Sequence, residues 1–212
     1  MRASVTEKPQ VTLHSVADAE SLMDVAKSRG MTPTPLIVRA VARALIDHPD
    51  INRWLVDGMV IDPGRVDVGV AVDTPRGLMV PVVRDASSMS IAEIGEALTL
   101  LAGRANAGEI GVEELSDATF SVTSLGSMGV RHFTPIVNPP QVAILGVGTL
   151  EPMPVVVGNS VQVLRLVHLS LTFDHAAIDG APAARFLKTL TELISSRATY
   201  DDTDTSEGGK DV

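Results

Sequence analysis

The stretch Val167-His168-Leu169-Ser170-Leu171-Thr172-Phe173-Asp174-His175-Ala176-Ala177-Ile178-Asp179-Gly180 decides how this chain folds. Val167, Leu169, Leu171 and Phe173 alternate with His168, Ser170 and Thr172, the two-residue period of a half-buried strand. Beyond Gly180, the residues Ala181, Phe186, Leu187, Leu190, Leu193 and Ile194 recur at helical spacing, and Gly180 permits a tight corner between the two elements. If the strand continues past Phe173, His175 falls on its apolar face, four residues ahead of Asp179, where the helix opens. A histidine at such a corner can be buried, oriented and still open to a cleft. Spacing alone leaves a plainer reading open, with Asp179 as a helix N-cap and His175 as a hydrogen-bonded core residue.

Composition narrows the classes of function. A chain of 212 residues is long enough for one substantial core and rather long for two, so a single domain is expected. A formal charge of −9, no Lys/Arg cluster, and a single Trp and a single Tyr argue against a nucleic-acid surface, which needs a basic footprint and often stacking rings. The absence of cysteine excludes disulfides, thiolate metal sites and an enzyme-borne thiol nucleophile, so any thioester chemistry must use a substrate's sulfur. Neither a basic-then-apolar amino terminus nor a long apolar run is present, so no membrane segment is expected and the cytoplasm is the expected location. His14, His48, His132 and His168 show no ligand spacing with carboxylates, so no metal is expected. Phosphate-cradling glycine motifs are missing, and Ser127 lacks the G-x-S-x-G context of a serine hydrolase.

Read from end to end, residues 1–9 form a flexible lead, followed by a strand over 11–16 and a helix over 20–28 ended by Gly30. Thr34 and Pro35 supply an N-cap and a first helical residue for a helix that stops at Pro49. Residues 51–56 and 59–61 form a hairpin through Asp57-Gly58, and 66–72 and 78–83 an adjoining strand pair. Ser90 and Glu93 make a capping box for a helix closing near Gly103, and 111–116 a short helical turn. Strands follow over 118–124, 142–148, 155–157 and 161–173, the first leading into the glycine-rich segment 125–129. From Arg197 the chain is an acidic, disordered tail. Strands and helices mix without regular alternation, which predicts an α/β fold of the α+β type, a mixed β-sheet with packed helices in one domain.

The run from Phe173 to Gly180 resembles the D-H-x-x-x-D-G signature of the acyltransferase (E2) catalytic domains of 2-oxoacid dehydrogenase complexes, and more distantly the H-H-x-x-x-D-G of chloramphenicol acetyltransferases. The segments 11–18, 68–72, 77–84, 119–126, 133–141 and 143–148 are similar to the same family in order and spacing, so the resemblance covers residues 10–196. It implies a chloramphenicol-acetyltransferase-like fold, a homotrimer with active sites at subunit interfaces, and coenzyme A or acetyl-CoA as a substrate. It further implies that His175 is the general base toward an attacking thiol or hydroxyl, that Thr123 donates to the tetrahedral oxyanion, and that Asp179 orients the corner. Ser124 and Gly126 would border the coenzyme A channel, and Asp174 would be structural.

Three departures bear on the acceptor. The lipoyl and subunit-binding domains of complete E2 chains are not in this sequence, so no covalently attached lipoyl group is expected. Gln10 stands where the family has a histidine, and Arg2 is the only nearby basic candidate to pair with Asp179. Ala176 replaces the arginine that usually follows the motif histidine, as in the chloramphenicol enzymes. These departures point to a free-standing acetyl-CoA-dependent acyltransferase acting on a hydroxyl of a small acceptor, similar to the E2-like proteins that acetylate the hydroxymethyl group of tetronates in polyketide pathways. The alternatives are an E2 core exchanging acyl groups with dihydrolipoyl arms, and a catalytically silent trimeric scaffold.

Overall fold

The computed structural model of the chain describes residues 9–201. Its elements are β1 (Gln10–Asp18), α1 (Glu20–Arg29), α2 (Pro33–Asp47), β2 (Trp54–Val56), β3 (Met59–Ile61), β4 (Val68–Val70), β5 (Val72–Thr74), β6 (Gly77–Met79), β7 (Val82–Val83), α3 (Ile91–Ala107), β8 (Phe120–Ser124), β9 (Ala143–Val157), β10 (Ser160–Asp174) and α4 (Gly180–Ser195). Six strands form one mixed sheet in the order β1-β10-β9-β8-β4-β7, beside two small two-stranded sheets, β2-β3 and β5-β6. β1, β10 and β9 are antiparallel neighbours, whereas β8 runs parallel to both β9 and β4.

The two-residue period gives this sheet two unlike faces. Phe120, Val122, Leu145, Val147, Leu169, Leu171 and Phe173 are buried in one core with Leu36, Val41, Phe186 and Leu190 of the helices. The opposite face is polar, and its residues line up across strands. Thr123 is in register with Gly146, Gly146 with Ser170, and Ser170 with His14. The His14 Nδ1 and Ser170 Oγ lie 2.9 Å apart, and the Thr12 and Thr172 hydroxyls 2.7 Å apart in the adjacent row.

Several boundaries differ from the sequence reading, each for a local reason. α2 starts at Pro33 with Thr32 as N-cap, two residues earlier than expected, because both prolines fit a first turn whose N–H groups need no helical partner. α3 passes through Gly103 and ends at Gly108, where φ is 73°, because Ala105 continues the buried stripe of Ile91, Ile94 and Leu101 beyond Gly103. The pair over 66–72 and 78–83 divides in two. β4 pairs with β7 in the main sheet and β5 with β6 outside it, and at the break the Pro81 carbonyl accepts from Val70 N at 2.9 Å while Ala71 N turns to Val122 O. β9 runs unbroken through Pro152 and Pro154, because β8 flanks it only as far as Val147 and a proline on an open edge breaks no ladder.

The chain also stays ordered past Arg197, where a disordered tail was expected. Arg197–Tyr200 form a 3₁₀ turn that buries Tyr200 completely, with its hydroxyl donating to Ile194 O at 3.0 Å and its carbonyl accepting from Arg29 Nη2 at 2.8 Å. An aromatic ring with a satisfied hydroxyl is worth burying even in a polar stretch. At the other end Pro9, the last residue of the expected flexible lead, accepts from His175 N at 2.9 Å. The rest of both ends, including Arg2, lies outside the described residues. Tyr200→Ala is expected to lower the unfolding free energy by about 3–5 kcal/mol, as for other buried aromatic truncations, and Tyr200→Phe by about 1 kcal/mol, both read from urea denaturation midpoints.

Candidate active site

Asp174 ends β10 and sets the local geometry. It is fully buried, its Oδ1 accepts from Ala176 N at 3.0 Å, and its carbonyl accepts from Ala177 N and Ile178 N, also at 3.0 Å. These bonds close a turn immediately after the strand, so the alternation stops and His175 is not on the apolar face. The imidazole is exposed and lies against the Phe173 ring, with centroids 5.7 Å apart. Asp179 occupies the N-cap position of α4 with extended dihedrals, yet its side chain accepts no capping bond. Its exposed carboxylate has no partner among the described residues, so the plain capping role is not the one it fills.

Thr123 sits near the end of β8 with a half-buried side chain on the polar face. Its strand neighbour on that face, Ser121, is buried and donates to Gln141 Oε1 at 2.7 Å. After Ser124 the chain enters a 3₁₀ turn, Gly126–Met128, packed directly on β9. A side chain at Gly126 would collide with the Gly148 carbonyl, so glycine there permits backbone to meet backbone. Ser124 and Gly126 border an open pocket of about 430 Å³, lined also by Thr34 and Ile37 of α2 and by Val147 and Leu150 of β9.

Strand direction keeps these two groups of residues apart. β8 is parallel to β9, and β9 is antiparallel to β10, so the carboxyl ends of β8 and β10 lie at opposite ends of the sheet. Thr123 is level with Ser170, five residues before His175. At about 3.3 Å per residue and 4.8 Å per strand, Thr123 and His175 of one chain are about 16 Å apart along the strands and two strands apart across them. One chain therefore carries two candidate half-sites, His175 with Asp174 and Asp179, and Thr123 with Ser124 and Gly126.

Sequence reasoning missed one cluster. His14, His132 and His168 come together on the polar face, with ring centroids 4.9 Å apart for His14 and His132 and 4.7 Å for His132 and His168. Glu151 approaches His168 Nε2 at 3.2 Å. His14 and His168 each sit at a polar position of an alternating strand, but only the β1-β10 register reveals that they are neighbours. No group of three or more His, Cys, Asp or Glu among the described residues is arranged to hold a metal ion. No helix among them is long and apolar enough to cross a membrane.

Residues 1–200 match the model of the 2-oxoacid dehydrogenases acyltransferase (catalytic domain) family. The chain belongs to that family. It is 38% identical over 208 residues to the dihydrolipoyllysine-residue acetyltransferase component of the acetoin cleaving system of Bacillus subtilis, a match that covers 93% of this chain and 52% of that protein. Its fold superposes with a TM-score of 0.88 on a dihydrolipoamide acetyltransferase (E2p) of Azotobacter vinelandii, at 38% identity, covering 93% of this chain and 86% of that one. Chloramphenicol acetyltransferase, at 15% identity and a TM-score of 0.61 over 89% of each chain, shares the fold. The fold and family expected from the sequence therefore hold, and the chain spans about half the length of the curated relative it matches.

The backbone contact in the Thr123 half-site can be tested directly. Gly126→Ala forces a methyl group against the Gly148 carbonyl. It is expected to cost about 1–3 kcal/mol, read as a lower denaturation midpoint at unchanged slope.

Proposed function

We propose that this domain transfers an acyl group between coenzyme A and a dihydrolipoyl thiol, in a site formed by His175 of one copy and Thr123 of another. The observation that carries this reading is the placement of the two half-sites at opposite ends of one sheet, which leaves each incomplete within its own chain. A homotrimer is the assembly the family resemblance implies, and in it the end of β10 of one copy would meet the end of β8 of the next.

In this reading the neutral imidazole of His175 accepts the proton of the attacking thiol, and the thiolate sulfur bonds to the thioester carbonyl carbon. The Thr123 hydroxyl donates to the oxyanion that results. Collapse breaks the original carbon–sulfur bond, and the departing thiolate takes the proton back from the imidazolium. Histidine is suited to this exchange because its ordinary pKa, near 6.5, leaves an acceptor form at neutral pH. Coenzyme A is assigned to the Ser124 and Gly126 side, where the pocket lies.

The Azotobacter enzyme supports the assignment of roles. Its mechanism was studied at a serine, a histidine and an asparagine, which are separated along that chain by the same numbers of residues as Thr123, His175 and Asp179 here. A hydroxyl at Thr123 and a polar group at Asp179 thus recur at matching intervals. The hydroxymethyl acceptor expected from the sequence gains no such support, because both relatives reported at 38% identity are named for dihydrolipoyl substrates. The acceptor is therefore reassigned from a hydroxyl to a thiol.

Coenzyme A release from acetyl-CoA, with dihydrolipoamide and a hydroxymethyl tetronate as alternative acceptors, checks this. Release with dihydrolipoamide is expected, falling about 10²–10⁴-fold in His175→Ala and about 10²–10³-fold in Thr123→Ala. Release with the tetronate alone would restore the hydroxyl acceptor, and silence with both would leave the scaffold. A shared site has a further consequence. Co-assembled equal amounts of His175→Ala and Thr123→Ala chains should recover about one quarter of wild-type activity, because a quarter of the interfaces pair an intact His175 with an intact Thr123. A site contained in one chain would recover none.

A further inference from the structure

Residues 130–140 cross the polar face of the sheet as a strap. The Val130 carbonyl accepts from Thr149 N at 2.9 Å, Val137 N donates to Gln10 Oε1 at 3.1 Å, and the Pro140 carbonyl accepts from Leu55 N at 2.7 Å. β9 makes room for it with two glycines. A side chain at Gly146 would come within 2.8 Å of the Phe133 ring, and one at Gly148 would strike the Arg131 carbonyl.

The groups facing the strap are unusual. β1 contributes His14, β10 contributes His168, β9 contributes Glu151, and the strap itself carries Arg131 and His132. His168 Nδ1 lies 3.2 Å from His132 Nε2, while its Nε2 lies 3.2 Å from a Glu151 oxygen. The carboxylate accepts, so Nε2 of His168 carries a proton. One further proton fits between the two rings, whichever imidazole holds it. With both rings fully protonated, two N–H groups would point at each other and two cations would be in contact. Glu151 could offset one of these cations, but it already pairs with Arg131 at 2.6 Å. Burial, His168 and Arg131 together push the His132 pKa below its ordinary value. Folding with the strap docked therefore disfavours that proton, and stability is present above the unfolded pKa and lost as pH falls below it.

We propose that the histidine stack is an acid-sensitive latch, which holds the strap on the sheet while the His132–His168 pair shares one bridging proton and releases it when both rings are fully protonated. On the acyltransfer reading above, release would also disturb Thr123, since Phe133 covers Gly146, its register partner. The latch itself does not depend on that reading.

Amide hydrogen exchange across pH tests it without an activity assay. After correction for intrinsic rates, the Thr149 amide should lose protection severalfold from pH 7.5 to pH 5.5, up to the roughly tenfold that a single protonation near pH 6.5 can drive over that range. The amides of Leu169 and Leu171 in β10 should not change. His132→Gln keeps a hydrogen-bonding amide but cannot titrate, and it should abolish the pH dependence at Thr149; His168→Gln serves the same purpose if the first variant fails to fold. Constant Thr149 protection in the wild type, equal loss at Leu169 and Leu171, or an undiminished pH dependence in a folded glutamine variant would each overturn the latch.

Discussion

The reversal of direction between β8 and β10 is the constraint on which the rest depends. Because β9 pairs parallel with one and antiparallel with the other, the two strands deliver their carboxyl ends to opposite rims of the sheet. The exposed histidine leaves at one rim and the hydroxyl of Thr123 at the other. No change of rotamer can close a gap of about 16 Å along the strands. A fold of this kind can only combine the two groups by setting one copy's rim beside another's. On the proposed reading, assembly and chemistry become one requirement, and the free chain would be a precursor of the site.

β9 serves both ends of this arrangement. Its apolar side fills the core with Leu145 and Val147, while Gly146 and Gly148 on its polar side present bare backbone. The Gly126–Met128 turn and the strap over 130–140 both use that opening. The segment after Thr123 is thus pinned by close backbone packing at Gly126 and by polar contacts further on. A substitution at any of these glycines would act on Thr123 through packing, without touching a reacting atom.

Much of the fold was legible because it rests on period and on caps. The strand over 161–173, the Ser90-Glu93 capping box and the helix-ending Gly30 each had one local meaning, and each is found. Misplaced boundaries arose where a local signal was overruled from outside its own window. Gly103 could have ended α3, but Ala105 still had core to face. Pro152 and Pro154 could have broken β9, but its neighbour had already departed. The histidine cluster was illegible for a different reason. Its members come from β1, β10 and a loop, and pairing register is a property of the whole sheet that no stretch of sequence encodes by itself.

The exposure of His175 follows from Asp174. Had the strand run one residue further, the imidazole would have faced the core, where burial favours the neutral ring but also closes it to substrate. The turn that Asp174 closes instead turns the ring outward and ties its backbone to Pro9. In the proposed site, the apolar walls and the excluded water that sharpen a general base have to come from the neighbouring copy. On that reading an isolated chain would keep His175 in a solvent environment, where deprotonating a thiol would bring no reaction because Thr123 is elsewhere. The buried Asp174 beside the histidine would thus matter to the proposed mechanism without contacting the substrate, because the turn it closes leaves His175 open for a second chain to complete the site.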